Sequence, residues 1–265
     1  MNAHYARDME FSLGLALAGL LVGLAVGMTG VGGGSLMTPA LISLFGVPPV
    51  TAVATDLAFA AATKSVGVMA HRRTGLVCWP VAVIMIVSSC GSALLTMYLQ
   101  RWWAAPTREL EALVRNALAI ALTLTVLALL FNEPLTRWRA GKGALKPATT
   151  LILTAIAGGL IGALVIISSI GAGAVGVTVL SLLYPQWQPR EVAATDLAYA
   201  VPLTAVGAVL HGLAGNIDTG LLLALLVGSV PGILIGVYAG ARLQARTART
   251  LLAGCLAMAA AKLIT

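Results

Sequence analysis

The chain has 265 residues, of which 59% are hydrophobic and only 9% are charged, and its formal net charge is +7. A soluble domain carries about 25% charged residues, so this composition excludes an ordinary soluble protein and indicates a membrane protein built from apolar helices. The positive charge does not indicate a nucleic-acid-binding protein, because the basic residues lie in short loops between apolar runs.

Two classes of apolar segment follow one another along the chain. The long ones approach or reach the ~20 residues that a helix needs to cross a bilayer core. Two short ones, about 35–46 and 172–184, would extend only about 18–20 Å as helices, so we expect re-entrant or half-length helices there, or parts of broken spans. The eight long segments are predicted at about 11–29, 50–70, 76–99, 112–131, 149–167, 192–211, 219–241 and 250–264.

The first ten residues are mixed in charge, and no cleavage site of small residues precedes the glycines that follow the first apolar segment. We therefore expect the first helix to be retained rather than removed as a signal peptide.

A glycine-rich loop, residues 27–35, follows that first segment. Glycine permits positive φ angles and a close approach of a ligand to the main chain. A helix that begins near Ser35 would direct free N–H groups and the positive end of its dipole at this loop. We predict an anion-binding loop that includes Gly32, Gly33, Gly34 and Ser35. The alternative is close helix packing, which also uses small residues.

The next long segment carries two ionisable residues, Asp56 and Lys64. An ionisable group inside a membrane costs a few kcal/mol or more, so such groups normally face the protein interior or a wet cavity. Eight residues separate them by about 12 Å along a helix and about 80° around it, so they can line one cavity without pairing. We predict that Lys64 binds an anion and that Asp56 links a proton. Alternatively, the aspartate satisfies main-chain amides near the start of its helix.

The chain contains an internal duplication with an offset of 140 residues. The pentapeptide Ala-Thr-Asp-Leu-Ala occurs at 54–58 and again at 194–198, and His211 corresponds to His71. Lys64 is replaced by Thr204 in the second half, so we expect one asymmetric site rather than two equal ones. The second half adds these predicted substrate-binding residues: Gly171, Gly173, Thr178, Thr195 and Asp196.

Threonine and histidine residues recur at equivalent places in the two halves. Thr38, Thr55 and their counterparts are predicted to donate hydroxyl groups to an oxyanion, although a threonine in a membrane helix often bonds its own main chain. His71 and His211 end their helices, where they either cap the helix dipole or exchange protons. The predicted proton-coupling residues are therefore Asp56, Asp196, His71 and His211.

The predicted fold is an all-α polytopic membrane protein of two homologous halves, with about eight long transmembrane helices and two short re-entrant or half helices. The first half spans residues 1–131, a basic cytoplasmic linker 132–148, and the second half 149–265. If each short segment also crosses, all the basic loops fall on one side, as the positive-inside rule requires. Each half then crosses an odd number of times, which gives inverted repeats. The alternative is a parallel four-plus-four arrangement.

Motifs of enzymes and metal proteins are missing from the sequence. It has no nucleophile–base set, no H-E-x-x-H, no cysteine cluster and no Walker loop. We therefore predict no catalytic residue, no metal site and no cofactor, and transport driven by a gradient. The expected partners are a small anion and the lipid bilayer, without nucleic acid, and the sequence leaves a homodimer open.

Several motifs of the first half are also found in a known family. They are the glycine run 30–34 with Pro39, the turn at 46–52, the run Thr55-Asp56-Leu57-Ala58, and His71. Together with their repeats they resemble the sulfite exporter TauE/SafE family, also called the 4-toluene sulfonate uptake permease family. The resemblance implies an inner-membrane permease for a sulfur-containing anion such as sulfite, thiosulfate or an organosulfonate.

The resulting prediction is a secondary transporter that exports sulfite or a related sulfur-containing anion across the cytoplasmic membrane with proton coupling. One alternative is a membrane accessory or scaffold subunit of sulfur metabolism that does not transport. A third reading, an intramembrane enzyme, lacks the clustered polar centre that it would need.

Overall fold

The computed structural model describes residues 14–24, 34–71, 75–103, 107–140 and 146–240, and all regular structure in these ranges is helical. Prolines at or near the starts of several helices favour their initiation, because the missing N–H has no partner there in any case. The helices of the described ranges are α1 (Gly14–Leu24), α2 (Gly34–Phe45), α3 (Pro49–His71), α4 (Trp79–Trp103), α5 (Thr107–Ala140), α6 (Pro147–Ser168), α7 (Ala174–Leu183), α8 (Pro189–Leu213) and α9 (Thr219–Gly240).

Five helices of the described ranges, α4, α5, α6, α8 and α9, are long and apolar enough to cross a membrane. The helices α1, α2 and α7 are apolar but shorter, and α3, with 23 residues, carries Asp56 and Lys64. The chain is therefore a multi-pass, all-helical membrane protein. The predicted segment 250–264 and part of 11–29 lie outside the described residues, so the count of eight long spans stays a prediction.

The surface and the interior have the inverted polarity expected in a bilayer. Large hydrophobic side chains such as Val87, Leu160 and Val227 are about 70% exposed on α4, α6 and α9, where they can contact lipid. In contrast, Asp56, Lys64 and Asp196 are buried. Ionisable groups in membrane helices normally face the protein interior, and these three residues do so.

The internal duplication is visible in the positions of the helices. The helices α2, α3 and α4 begin at residues 34, 49 and 79, and α7, α8 and α9 begin 140 residues later, at 174, 189 and 219. The side chain of Thr55 on α3 accepts a hydrogen bond from the Asp218 amide at 3.2 Å. In the same way Thr195 on α8 accepts one from the Cys78 amide at 3.1 Å. The two halves thus make the same contact with each other in exchanged roles.

The helix α5 is 34 residues long and passes through Pro134 to Ala140. The first part of the predicted linker is therefore a continuation of this helix, and residues 141–145 lie outside the described ranges.

Glycines allow the main chains of two helix pairs to come into direct contact. These pairs are α1 with α9 and α4 with α6. A side chain on Gly19 or Gly23 of α1 would meet the carbonyl groups of Leu225 or Ser229 on α9. A Cβ atom on Gly162 of α6 would lie 2.7 Å from the Cα atom of Ser89 on α4. Small residues at such interfaces are the usual means of close packing in membranes.

Replacing Gly162 with alanine is therefore expected to destabilise the protein. Overpacking costs about 1–3 kcal/mol, which should lower the melting temperature by about 2–10 °C in a chain of this size. The matched control is Gly91→Ala on α4, because nothing lies within 4 Å of a Cβ atom there. Thermal unfolding of the purified protein checks both variants, and an equal melting temperature for the two would contradict the close packing.

Candidate functional site

Three buried ionisable side chains lie on α3 and α8, which pack against each other. The exposed fractions of Asp56, Lys64 and Asp196 are 0%, 6% and 4%. The Lys64 ammonium group is close enough to interact electrostatically with both carboxyl groups. Asp56 and Lys64 are therefore separated along α3, as predicted, and they influence one another within one buried polar centre. The second half of the chain contributes Asp196 to this centre.

The loop between α6 and α7 forms one wall of this centre. Three of its residues have positive φ angles, 59° at Ser169, 133° at Gly171 and 139° at Gly173, a region that glycine adopts without steric strain. The Lys64 ammonium group donates to the carbonyl oxygen of Ala172 at 2.8 Å. The lysine of the first half is therefore held against the glycine loop of the second half.

The helix α7 begins directly at this loop with a buried N-terminus. Its N-cap residue is Gly173, and no side chain caps the first turn. Gly171, Gly173 and Ala174 are buried, so the first turn does not face solvent. The N-terminus of a helix carries a partial positive charge and favours anions. Lys64 adds a full positive charge beside it, and this combination provides a site for an anion.

Four buried polar atoms of the centre have no hydrogen-bond partner: Asp56 Oδ1, Ser169 Oγ, Asp196 Oδ1 and Tyr199 Oη. They account for all but one of the unpaired buried side-chain atoms in the part of the chain that the structure describes, the other being Asn132 Oδ1. Ser169 approaches Asp56 and Tyr199 approaches Asp196 closely enough to interact, but these approaches leave the four atoms unsatisfied. Such a concentration of unpaired groups is what a binding site for a polar ligand requires.

Threonine occupies equivalent positions on α2 and α7 but has different partners there. The Thr38 hydroxyl on α2 donates to Asp56 Oδ2, and both residues are fully buried. Thr178 on α7 instead donates to the carbonyl oxygen of Ala128 over 3.5 Å, which is a long and weak contact. Only the first of these threonines orients a carboxyl group.

Replacing Thr38 with valine is expected to lower both stability and transport, because a buried carboxyl loses its donor at a cost of about 1–3 kcal/mol. We expect transport to fall about tenfold, the factor that corresponds to about 1.4 kcal/mol. The equivalent change Thr178→Val is the control and should have a smaller effect on transport. Uptake measured at equal amounts of folded protein distinguishes them, and equal losses would refute the positioning role of Thr38.

The remaining predicted residues lie in several places. The hydroxyl oxygens of Thr55 and Thr195 accept hydrogen bonds from main-chain N–H groups of the opposite half. Gly34 begins α2, with Ser35 in its first turn, whereas Gly32 and Gly33 lie outside the described residues. His71 is the last residue of α3, and the side chains of Ser35 and His71 are outside the described part.

His211 is buried near the end of α8. Its Nε2 atom lies 3.0 Å from the carbonyl oxygen of Ile166, and its Nδ1 atom lies 3.4 Å from the Asn216 side-chain nitrogen. The neutral tautomer protonated at Nε2 satisfies both contacts, since Nε2 donates and Nδ1 accepts. The histidine therefore joins α8 to α6.

A cavity of about 600 Å³ lies beside His211, at the ends of α4, α6 and α8 and the start of α5. Apolar side chains form most of its lining, and Arg101 and Asn216 add polar groups. It does not include Asp56, Lys64 or Asp196, so the buried polar centre and this cavity are separate places.

Two residues of the centre were not predicted from the sequence: Ser169 and Tyr199. Tyr199 follows Asp196 by three residues, and its counterpart in the first half is Phe59. A comparison of the two halves for such polar differences would have indicated it.

Comparison with known proteins covers almost the whole chain. A family model described as "Sulfite exporter TauE/SafE" matches residues 15–263. A protein of Bacillus subtilis (strain 168) named "Probable membrane transporter protein YjnA" is 32% identical over 96% of this chain and 100% of its own length. "Probable membrane transporter protein YdhB" of the same organism is 25% identical over 84% of this chain and 87% of its own. No solved structure gives a significant match.

Proposed function

Because the chain belongs to the sulfite exporter TauE/SafE family of membrane transporters, we propose that it moves a small sulfur-containing anion across the cytoplasmic membrane, with sulfite export as its first candidate activity. The observation that supports this proposal is the buried centre of Lys64, the uncapped start of α7 and the unpaired polar groups around them. No ATP-binding loop is present in the sequence, so gradients drive transport.

The anion binds next to Lys64 in this proposal. A sulfur oxyanion offers several acceptor oxygens to the ammonium group, to the Ser169 hydroxyl and to the N–H groups of Ala174 and Val175 at the start of α7. The Gly176 N–H is not among these donors, because it already donates to the Gly171 carbonyl at 3.1 Å. Interactions with charged groups are about twice as strong as neutral hydrogen bonds, and the buried location strengthens them further. Binding of the anion thus gives hydrogen-bond partners to buried donors that otherwise lack them.

Two carboxyl groups beside an anion site require an explanation. With Asp56 and Asp196 both ionised, the centre carries a net charge of about −1 in spite of Lys64, and it repels an anion. Protonation of the carboxyl groups removes this repulsion and leaves Lys64 available. Proton and anion binding therefore support each other by linkage, and a proton accompanies the anion. The direction follows the combined gradients, and export results when the cytoplasmic anion concentration dominates.

The two halves are arranged as inverted repeats in this proposal. Thr55 near the start of α3 contacts Asp218, which follows α8, and Thr195 near the start of α8 contacts Cys78, which follows α3. These exchanged contacts fit two helices that run in opposite directions. The basic loops then lie in the cytoplasm, and the cavity beside His211 lies toward the opposite side, where Arg101 can attract anions approaching the centre.

Uptake by proteoliposomes tests the proposed function. The purified protein is reconstituted, and entry of radiolabelled sulfite, thiosulfate and methanesulfonate is followed with and without a pH gradient. We expect saturable movement of at least one of them, faster with a proton gradient in the same direction, and none in protein-free vesicles. Folded protein that moves none of these anions would contradict the proposal.

A further inference from the structure

The two halves differ in chemistry at two equivalent positions beside the aspartates. Tyr199 on α8 corresponds to Phe59 on α3, and Gly176 on α7 corresponds to Leu36 on α2. Both aromatic rings are fully buried, with an exposed fraction of 0%. The second half therefore contains a phenol hydroxyl where the first half has none, and a glycine where the first half has a large side chain.

Gly176 provides the space for this hydroxyl. A Cβ atom at Gly176 would overlap both Tyr199 Oη and Asp196 Oδ1. Both atoms consequently lie against the main chain of the first turn of α7, the end of the helix that favours an anion. The same overlap shows that they lie side by side, since each would be in contact with one added atom.

The hydroxyl makes no hydrogen bond of normal geometry within the protein. Tyr199 Oη and Asp196 Oδ1 lie side by side against Gly176, close enough to interact with each other, but neither atom has a well-aligned partner. A buried polar atom that lacks a partner destabilises the folded protein, and a residue without the polar atom avoids this loss. Phenylalanine fits the equivalent place in the first half, so the hydroxyl serves a purpose other than packing.

We propose that Tyr199 is an anion-binding residue whose phenol group donates a hydrogen bond to an oxygen of the transported anion at the start of α7. Gly176 leaves room for the hydroxyl itself, which lies against the main chain of the first turn of α7. Lys64 supplies the charge from α3, and Tyr199 supplies a directed donor from α8, so the anion is held between the halves. This inference rests on the proposed function and adds a selectivity for anions that carry acceptor oxygens.

The variant Tyr199→Phe tests the inference, because it removes the hydroxyl and keeps the ring. Affinity for radiolabelled sulfite is expected to fall about tenfold or more, as for a lost hydrogen bond to a charged group. The melting temperature without ligand should stay the same or rise, because an unpaired buried group is removed. These two opposite changes separate a ligand contact from a structural contact.

Tyr184→Phe is the matched control. The Tyr184 hydroxyl forms a hydrogen bond with Thr154 at 2.8 Å, and its ring stacks on Trp187. Removal of this satisfied hydroxyl should lower the melting temperature and leave sulfite affinity unchanged, the reverse of the pattern expected for Tyr199→Phe.

A second pair of variants examines the space at Gly176. Gly176→Ala should lower both the melting temperature and the affinity, because its Cβ atom displaces Tyr199 and Asp196. In the double variant Gly176→Ala/Tyr199→Phe the stability should recover in part, while the affinity stays low. Recovery of affinity in the double variant would overturn the inference.

Other outcomes also decide the matter. A Tyr199→Phe variant that binds sulfite as the wild type does shows that the hydroxyl is not a ligand contact. A Tyr199→Phe variant that fails to fold shows that the hydroxyl has a structural role, and either result overturns this inference alone. Failure of the wild type to bind sulfite, thiosulfate and methanesulfonate overturns the proposed function and the inference with it.

Discussion

Replacement of Lys64 by methionine is expected to reduce kcat/KM for anion transport about a hundredfold or more. Lys64 is the only buried lysine or arginine among the side chains that the structure describes, and it lies against the loop that starts α7. Removal of one partner of a buried charge interaction costs about 3–5 kcal/mol, and about 2.8 kcal/mol already corresponds to a hundredfold change. Methionine keeps the length of the side chain and removes its charge.

The control for this variant is Lys146→Met, because Lys146 is exposed just before α6. It should transport at the wild-type rate. Initial uptake rates are compared at equal amounts of folded protein, judged by size-exclusion chromatography. Transport at the wild-type rate by a folded Lys64→Met protein would show that anion transport does not depend on this charge.

Replacement of Asp56 by asparagine is expected to abolish the pH dependence of transport. In the wild type, uptake should fall as the pH rises, because an ionised carboxyl group repels the anion and interacts with Lys64. Asparagine cannot ionise and has nearly the same shape, and its oxygen can still accept from Thr38. The variant should retain the low-pH transport mode at all pH values and lose the ability of a pH gradient to drive accumulation.

Uptake between pH 5 and pH 9, with and without a pH gradient, measures this effect. Asp196→Asn provides the comparison from the second half, and the double variant shows whether one carboxyl or both carry protons. An unchanged pH profile in folded Asp56→Asn would exclude Asp56 as the coupled proton carrier.

Sequence patterns were sufficient for the features that depend on local chemistry. The apolar segments predicted the helices α3, α4, α6, α8 and α9 closely, because burial in lipid requires helices wherever the chain is long and apolar. The repeated pentapeptide indicated an internal duplication, and the helices α2, α3 and α4 begin 140 residues before α7, α8 and α9. The intramembrane charges of Asp56 and Lys64 indicated a buried polar centre, because groups of this kind are expensive in lipid.

The contacts between distant segments could not be predicted from the same patterns. Lys64 binds the carbonyl of Ala172, which is 108 residues away, and nothing in the local sequence indicates this partner. Thr55 and Thr195 were predicted to donate hydroxyl groups to an oxyanion because they recur, and the sequence did not indicate that their oxygens accept main-chain N–H groups of the opposite half. These contacts leave each O–H group able to donate. The recurrence of a residue indicates an equivalent position, and the packing of the halves decides what it contacts.

Tyr199 shows a second reason why the sequence patterns did not predict the whole site. Its importance depends on the small size of Gly176, which lies on a different helix, and on the orientation of α7 relative to α8. A comparison with Phe59 in the first half marks Tyr199 as different, but the sequence alone does not distinguish a ligand contact from a packing residue. The position of its hydroxyl beside Asp196 separates the two roles.

Equilibrium binding of radiolabelled sulfite, thiosulfate and methanesulfonate to the purified protein in lipid nanodiscs tests the central claim most directly. The measurement compares the wild type with Lys64→Met and with Lys146→Met. We predict saturable binding of at least one anion by the wild type and by Lys146→Met, and its loss in Lys64→Met. Absence of saturable binding by the folded wild type, or equal binding by Lys64→Met, would contradict a buried anion site at Lys64.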